Sequence, residues 1–122
     1  MSRLLLIDDD ARLREMLSSA LARAGHIVIE ARDGRQGANL FRAAPPDLVI
    51  TDLVMPEQEG LETIIELHRE WPALPIIAIS GGGSLYLAMA AKLGAHRILA
   101  KPFALSVLLL AVAELLASPA PG

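Results

Sequence analysis

The stretch that decides the fold runs from residue 4 to residue 10 and reads Leu4-Leu5-Leu6-Ile7-Asp8-Asp9-Asp10. Four apolar residues followed at once by acids are typical of a strand that is buried on both faces and ends at a polar edge. The pattern returns twice further along the chain, as Leu48-Val49-Ile50 before Thr51-Asp52 and as Pro75-Ile76-Ile77-Ala78-Ile79 before Ser80. We therefore predict parallel strands that carry polar residues at their carboxyl ends.

Helical patterns separate the predicted strands. In the first helix apolar residues recur at three- and four-residue steps up to Gly25, which places Arg12, Arg14 and Glu15 on the opposite, polar side. Similar patterns predict helices over 35–44, around 61–68, over 84–93 and from Leu105 to Ala117, with further strands at 27–29 and 97–99. Five strands alternating with five helices indicate an α/β fold, a doubly wound parallel sheet with helices on both faces.

The length and composition fit one small domain. The chain has 122 residues, and we assign residues 1–117 to the domain and residues 118–122 to a flexible tail or the start of a linker. Hydrophobic residues make up 53% of the sequence, but no run approaches the roughly 18 apolar residues that a membrane span needs. The first residues are too short an apolar run for a signal peptide, so a cytoplasmic location is expected.

Charge and residue usage exclude several classes of function. The net charge is -3 with mixed signs, and aromatic residues make up 3% of the chain, so direct binding of nucleic acid is not expected. The chain has no cysteine, which excludes disulfides and thiolate metal sites. Because His26, His68 and His96 are far apart in this interpretation, a histidine metal site is not favoured.

The carboxyl ends of the predicted strands share one edge of the sheet, where ligands of such folds bind. That edge would bring Asp8 and Asp9 close to Asp52, Ser80 and Lys101. Carboxylates about 5 Å apart repel by roughly 3 kcal/mol per pair at an effective dielectric near 20. Such a cluster needs a counter-charge, which Lys101 and a hard divalent cation such as Mg²⁺ can supply. Asp10 is expected to cap the following helix and not to bind the metal.

Motifs spread over nearly the whole chain resemble the receiver domain of two-component response regulators. They are Ile7-Asp8-Asp9-Asp10, Thr51-Asp52-Leu53-Val54-Met55-Pro56, Gly60, Ile79-Ser80, Gly94-Ala95 and Ala100-Lys101-Pro102-Phe103. A single one of these motifs would be weak evidence, but together, in this order, they are specific. The resemblance implies a flavodoxin-like sheet with strand order 2-1-3-4-5.

The resemblance also implies roles for individual residues. Asp52 would accept a phosphoryl group from a sensor histidine kinase or a phosphotransfer protein. Asp8, Asp9 and Asp52 would bind Mg²⁺, together with the backbone carbonyl of Val54. Ser80 would donate a hydrogen bond to the phosphoryl group and Lys101 would pair with its charge, and the Lys101-Pro102 bond would be cis. Such a domain is a phosphoacceptor and a switch of phosphorelay signalling, and not an enzyme.

Two features depart from the family pattern. Ile98 stands where the family usually has a Tyr or Phe that rotates inward on activation. The last helix is apolar around its whole axis, which favours a partner contact through Val107 and Leu110. In the family, dimers and effectors dock on the face formed by the fourth helix, the fifth strand and the fifth helix, so a homodimer or effector contact is expected there.

Two alternatives remain open at this point. Asp8 and Asp10 also match the Asp-x-Asp of haloacid-dehalogenase-like phosphatases, with Asp8 as nucleophile and Asp10 as acid and base, although Asp52 then has no role. The second alternative is an interaction module that keeps the fold and works without phosphorylation, which Ile98 supports best.

Overall fold

Five strands and five helices alternate along the chain. The structure is a computed structural model that describes residues 2–53, 59–81 and 84–117, without the side chains of residues 59, 60 and 84–87. The strands are β1 (Arg3–Ile7), β2 (Ile27–Ala31), β3 (Leu48–Asp52), β4 (Ile76–Ser80) and β5 (Arg97–Ala100). The helices are α1 (Ala11–Arg23), α2 (Gly34–Ala43), α3 (Glu59–Glu70), α4 (Ser84–Leu93) and α5 (Leu105–Ala117). The proposed tail, residues 118–122, lies outside the described residues.

The strands form one parallel sheet in the order β2-β1-β3-β4-β5. This confirms both the parallel sheet and the predicted strand order. β1, β3 and β4 are the interior strands, and their apolar residues are buried because helices cover both faces of the sheet.

Two apolar clusters flank the sheet, one on each face. On one face, Leu5, Ile7 and Val49 pack with residues of α2, α3 and α4, including Phe41, Ile64 and Ala90. On the other face, Leu4, Leu6 and Ile50 pack with residues of α1 and α5, including Leu17, Leu21, Leu108 and Val112. Consecutive strand residues point to opposite faces, so each central strand contributes to both clusters.

Aspartates cap two helices at the carboxyl edge of the sheet. The carboxylate of Asp10 accepts a hydrogen bond from the backbone N–H of Leu13 at 3.1 Å, which confirms its predicted capping role. Asp33 caps α2 in the same way, through the N–H of Gln36 at 2.8 Å. Capping directs both helices back from this edge across the sheet.

At the other end of the strands, where they begin, Gly94 makes the turn from α4 into β5. Its φ is +127°, and a Cβ there would lie 2.5 Å from Cγ of His68 on α3. Only glycine fits both the backbone conformation and the contact with His68. This tight turn leads directly into β5 and so helps to set the register of the strand that precedes Lys101.

Both α3 and α5 expose apolar side chains on their outer surfaces. In α3, Ile64 is buried and the adjacent Ile65 is 41% exposed. In α5, Leu108, Ala111, Val112 and Leu115 are buried, whereas Val107 and Leu110 are 46% and 60% exposed. Although α5 is apolar all round, no helix in the described part of the chain is long and apolar enough to cross a membrane.

Candidate functional site

The predicted site residues lie at the carboxyl ends of four strands. Asp8 follows β1, Asp52 ends β3, Ser80 ends β4 and Lys101 follows β5. The backbone continues the sheet at this edge, because the N–H of Lys101 donates to the carbonyl of Ser80 at 2.9 Å. Residues that are far apart in the sequence are therefore held on a single rigid edge. Val54, the remaining predicted site residue, lies outside the described residues.

Three carboxylates converge at this edge. One ligand oxygen from each of Asp8, Asp9 and Asp52 lies within 4.8 Å of the other two, close enough to share one metal ion. Asp8 and Asp52 are buried, with 1% and 4% of their surface exposed, whereas Asp9 is exposed. The cluster therefore opens to solvent on the side of Asp9.

Lys101 supplies a positive charge to the buried part of the cluster. Its Nζ donates a hydrogen bond to Oδ2 of Asp52 at 3.1 Å and lies 3.7 Å from Oδ2 of Asp8. The Lys101-Pro102 peptide bond is cis, as the resemblance implies. Three carboxylates and one ammonium leave a net charge of about -2 when all are ionised, which is the charge that a divalent cation neutralises.

Burial affects the protonation of Asp8. Burial raises the pKa of Asp8 from its usual 3.8 to about 6, and the negative charges of Asp52 and Asp9 add to this rise. The N–H of Asp10, which donates to Oδ1 of Asp8 at 2.9 Å, and the charge of Lys101 act in the opposite direction on this pKa. Asp8 therefore stays partly protonated at mildly acidic pH.

The donor set fits a hard divalent cation. Oδ2 of Asp8 is buried, has no hydrogen-bond partner among the described residues, and lies 3.7 Å from Nζ of Lys101, which is an ion-pair distance and not a hydrogen bond. Lys101 offsets part of its charge but makes no hydrogen bond to it, so this buried oxygen would still gain from a cation at bonding distance. Oxygen-only ligands with one side open to water are what Mg²⁺ prefers.

Two residues near this edge, Arg14 and Glu30, were not predicted from the sequence. Arg14, predicted on the solvent side of α1, turns inward: its Nη1 donates to the backbone carbonyl of Asp8 at 2.6 Å. Its Nε donates to Oε1 of Glu30 on β2 at 3.1 Å, and its side chain is 18% exposed. The periodicity of α1 could not reveal this, because a long side chain on a polar face can fold back over the end of a neighbouring strand.

A family model described as the response regulator receiver domain matches residues 4–113. The chain belongs to this family. Receiver domains are regulatory switches that bind Mg²⁺ at an acidic pocket, and the Asp8, Asp9 and Asp52 cluster of this receiver domain could hold a metal. Family membership also removes the phosphatase alternative, and Asp10, its proposed acid and base, is the cap of α1.

Individual relatives agree with the family assignment. The receiver domain is 37% identical over 120 residues to the response regulator MprA of Mycolicibacterium vanbaalenii, covering 98% of this chain and 52% of MprA. It is 36% identical over 103 residues to the chemotaxis protein CheY of Thermotoga maritima, covering 83% of this chain and 86% of CheY. A CheY-like receiver domain protein from Methanospirillum hungatei superposes with a TM-score of 0.90 at 26% identity, covering 95% of this chain and 94% of that chain. The chain spans about a quarter to a half of the length of several relatives that it matches.

Proposed function

We propose that this receiver domain takes a phosphoryl group from the phosphohistidine of a sensor histidine kinase or a phosphotransfer protein onto Asp52. One observation carries the proposal: the Asp52 carboxylate is buried, bonded to Lys101 through Oδ2, and within 4.8 Å of the oxygens of Asp8 and Asp9. This arrangement presents a nucleophilic oxygen beside a site for a cation. The proposal includes a cytoplasmic location, because a kinase that uses ATP would supply the phosphoryl group there.

In the proposal, Asp8, Asp9 and Asp52 hold Mg²⁺ together with the backbone carbonyl of Val54. The bound ion would neutralise negative charge on the phosphoryl oxygens and allow an anionic carboxylate to approach them. Asp8 would have to lose its proton first, and its pKa of about 6 means that it is largely ionised at pH 7 and above. Binding of the ion and release of the Asp8 proton are therefore coupled.

The transfer step uses Asp52 as the nucleophile. An oxygen of the carboxylate attacks phosphorus, an O–P bond forms, and the P–N bond to the donor imidazole breaks. The electron pair of the broken bond returns to the imidazole nitrogen, which leaves the donor histidine unphosphorylated. Attack of water on the acyl phosphate later releases inorganic phosphate and restores the carboxylate, so the chain acts as a phosphoacceptor and a timed switch.

Lys101 and Ser80 would respond to the new group. The phosphoryl group brings about two negative charges, so Lys101 would move from the Asp52 carboxylate to a phosphoryl oxygen, and the hydroxyl of Ser80 would donate to another. Ser80 ends β4 and Lys101 follows β5 at the same edge of the sheet, and their movement would shift the loops after these two strands. Ile98 is 40% exposed and is not aromatic. The change at the phosphorylated site would therefore reach the surface through aliphatic packing and the backbone.

The output surface in this proposal is the face of α4, β5 and α5. Exposed apolar side chains lie on all three elements: Met89 on α4, Ile98 on β5, and Val107 and Leu110 on α5. A second copy of the domain or an effector protein would cover them on phosphorylation. Residues 1–117 would form the whole switch, without contacts of its own to nucleic acid.

The phosphoacceptor is tested by intact-mass measurement after incubation with acetyl phosphate and Mg²⁺. We expect one labile phosphoryl adduct on the wild type, cleaved by base and by hydroxylamine as an acyl phosphate is, and none on Asp52→Ala or in the presence of EDTA. Asp47→Ala, an exposed acid before β3, is the matched control and should be phosphorylated normally. Folded wild type without an adduct would favour the interaction module that works without phosphorylation.

The output face is tested by sedimentation of the same samples. We expect the phosphorylated wild type, or its complex with beryllofluoride, to dimerise or to bind its effector more tightly, and Leu110→Glu to abolish this change while still accepting phosphate. Glu would place a charge at the most exposed apolar position of α5. A phosphorylated Leu110→Glu variant that assembles like the wild type would exclude this face.

A further inference from the structure

Arg14 connects the first acidic loop to two neighbouring elements. It belongs to α1, its Nη1 bonds the carbonyl of Asp8 at 2.6 Å, and its Nε bonds Glu30 of β2 at 3.1 Å. The Arg14 side chain is 18% exposed and that of Glu30 is 37% exposed, so the ion pair lies at the border of the protein interior. One guanidinium therefore ties together the end of β1, the first turn of α1 and β2.

The oxygen that Arg14 binds belongs to the peptide between Asp8 and Asp9. On its other side Asp8 is held by the sheet, because its N–H donates to the carbonyl of Ala31 at 3.0 Å. β2 ends at Ala31, so the sheet ladder does not continue to the Asp8 carbonyl. Arg14 supplies a donor to this oxygen at the point where the ladder stops.

The orientation of this peptide decides where two of the three acids point. Consecutive side chains of an extended strand point to opposite faces. Yet Asp8 and Asp9 place ligand oxygens within 4.8 Å of each other. The chain must therefore leave strand geometry between these residues, and a peptide that has left the ladder needs another partner to hold it.

We infer that Arg14, held in place by Glu30, is a positioning residue that fixes the Asp8–Asp9 peptide so that both carboxylates converge with Asp52 on one divalent cation. Where it concerns the cation, this inference rests on the proposed function. Arg14 has the required geometry because a guanidinium presents several N–H donors in one rigid plane, and two of them engage different partners here.

The effect of Arg14 differs from that of Lys101. The charged groups that act on the pKa of Asp8 are Asp52, Lys101 and Asp9. Arg14 contacts the backbone oxygen of Asp8 and not its carboxylate. Loss of Arg14 should therefore loosen the geometry of the ligands, whereas loss of Lys101 changes the charge of the site.

The test is the affinity of the variants for Mn²⁺, read as loss of the electron paramagnetic resonance signal of the free ion. We expect Arg14→Met to weaken binding roughly tenfold, as for other residues that orient metal ligands. Arg14→Lys keeps the charge but can hold only one of the two partners, so it should recover part of the loss. Arg12→Met, which removes an exposed arginine from the same helix, should bind Mn²⁺ like the wild type.

Variants of Glu30 provide a second test. Glu30→Gln should weaken Mn²⁺ binding by less than Arg14→Met, and it should add nothing to the loss in the Arg14→Met background, because Glu30 acts only through Arg14. In metal-free protein, the amide resonances of Asp9 and Asp10 should shift in Arg14→Met and not in Arg12→Met. If Arg14→Met unfolds, Arg14→Lys and Glu30→Gln decide the question.

The outcomes separate this inference from the proposed function. Mn²⁺ binding that falls in Arg14→Met supports a positioning role even if Asp52 is never phosphorylated. Equal Mn²⁺ affinities of wild type and Arg14→Met, with both folded, would overturn it, as would a wild type that does not bind Mn²⁺. Additive losses for Arg14→Met and Glu30→Gln would remove Glu30 from the inference.

Discussion

Asp8→Asn is expected to stabilise the metal-free protein at pH 7 and to remove most of its Mg²⁺ binding. The folded-state pKa of Asp8, about 6, lies above its usual 3.8. The folded protein therefore binds this proton more tightly than the unfolded chain does. The resulting stability is fully present below about pH 4 and is lost as the pH rises through about 6.

The size of the expected change in stability follows from the rise in the pKa of Asp8. The ionised Asp8 destabilises the folded state by up to about 3 kcal/mol above pH 7. Asn at this position keeps an oxygen acceptor for the N–H of Asp10 and cannot ionise. Since it also loses the attraction to Lys101, we expect a net gain of about 1–2 kcal/mol, or several degrees in the unfolding temperature.

Thermal unfolding, followed by circular dichroism in EDTA and in millimolar Mg²⁺, measures both the stability of the metal-free protein and the effect of Mg²⁺ binding. The gain should shrink toward pH 4, where the wild type is protonated as well, and Mg²⁺ should stabilise the wild type but not the variant. Asp9→Asn is the matched control, because Asp9 is exposed and its charge should have a smaller effect on stability. A variant less stable than the wild type at pH 7 would contradict the argument.

Lys101→Met is expected to have the opposite effect on stability. The Nζ of Lys101 lies 3.1 Å from Asp52 and 3.7 Å from Asp8, and both acids are buried. Methionine has a similar length and no charge, so the variant leaves two buried carboxylates without their cation. Because 28% of the lysine side chain is exposed, solvent reduces the loss, and we expect about 2 kcal/mol at pH 7.

The cause of the stability loss in Lys101→Met can be identified by measuring it at different pH values and in the Asp8→Asn background. The loss should be smaller at pH 5, where Asp8 is protonated, and smaller in Asp8→Asn, since one repulsive charge is then absent. Mg²⁺ should recover much of the stability. Lys92→Met, which removes an exposed lysine on α4, should change stability by less than about 0.5 kcal/mol. A loss independent of pH and of Asp8 would indicate a packing effect.

The strand ends could be predicted from the sequence, whereas the inward turn of Arg14 could not. Apolar runs that stop at Asp8, Asp52 and Ser80 predicted the strands and their common polar edge, because strand burial and turn residues are local signals. The strand order came from the resemblance and is confirmed. The contact between Arg14 and Glu30 was not predicted, because it depends on β2 lying beside β1 and on the direction of a long, flexible side chain.

The sequence by itself determined the alternation of strands and helices and the capping role of Asp10, and it predicted that oxygen-bearing side chains meet at one edge of the sheet. These features follow from periodicity and residue type, which act over a few neighbouring residues. Only the tertiary structure decided that Asp8 is buried while the adjacent Asp9 is exposed, and that Arg14 turns inward to hold the peptide between them. The physical reason is that burial and the partners of a backbone oxygen depend on which segments the fold brings together at the end of a strand.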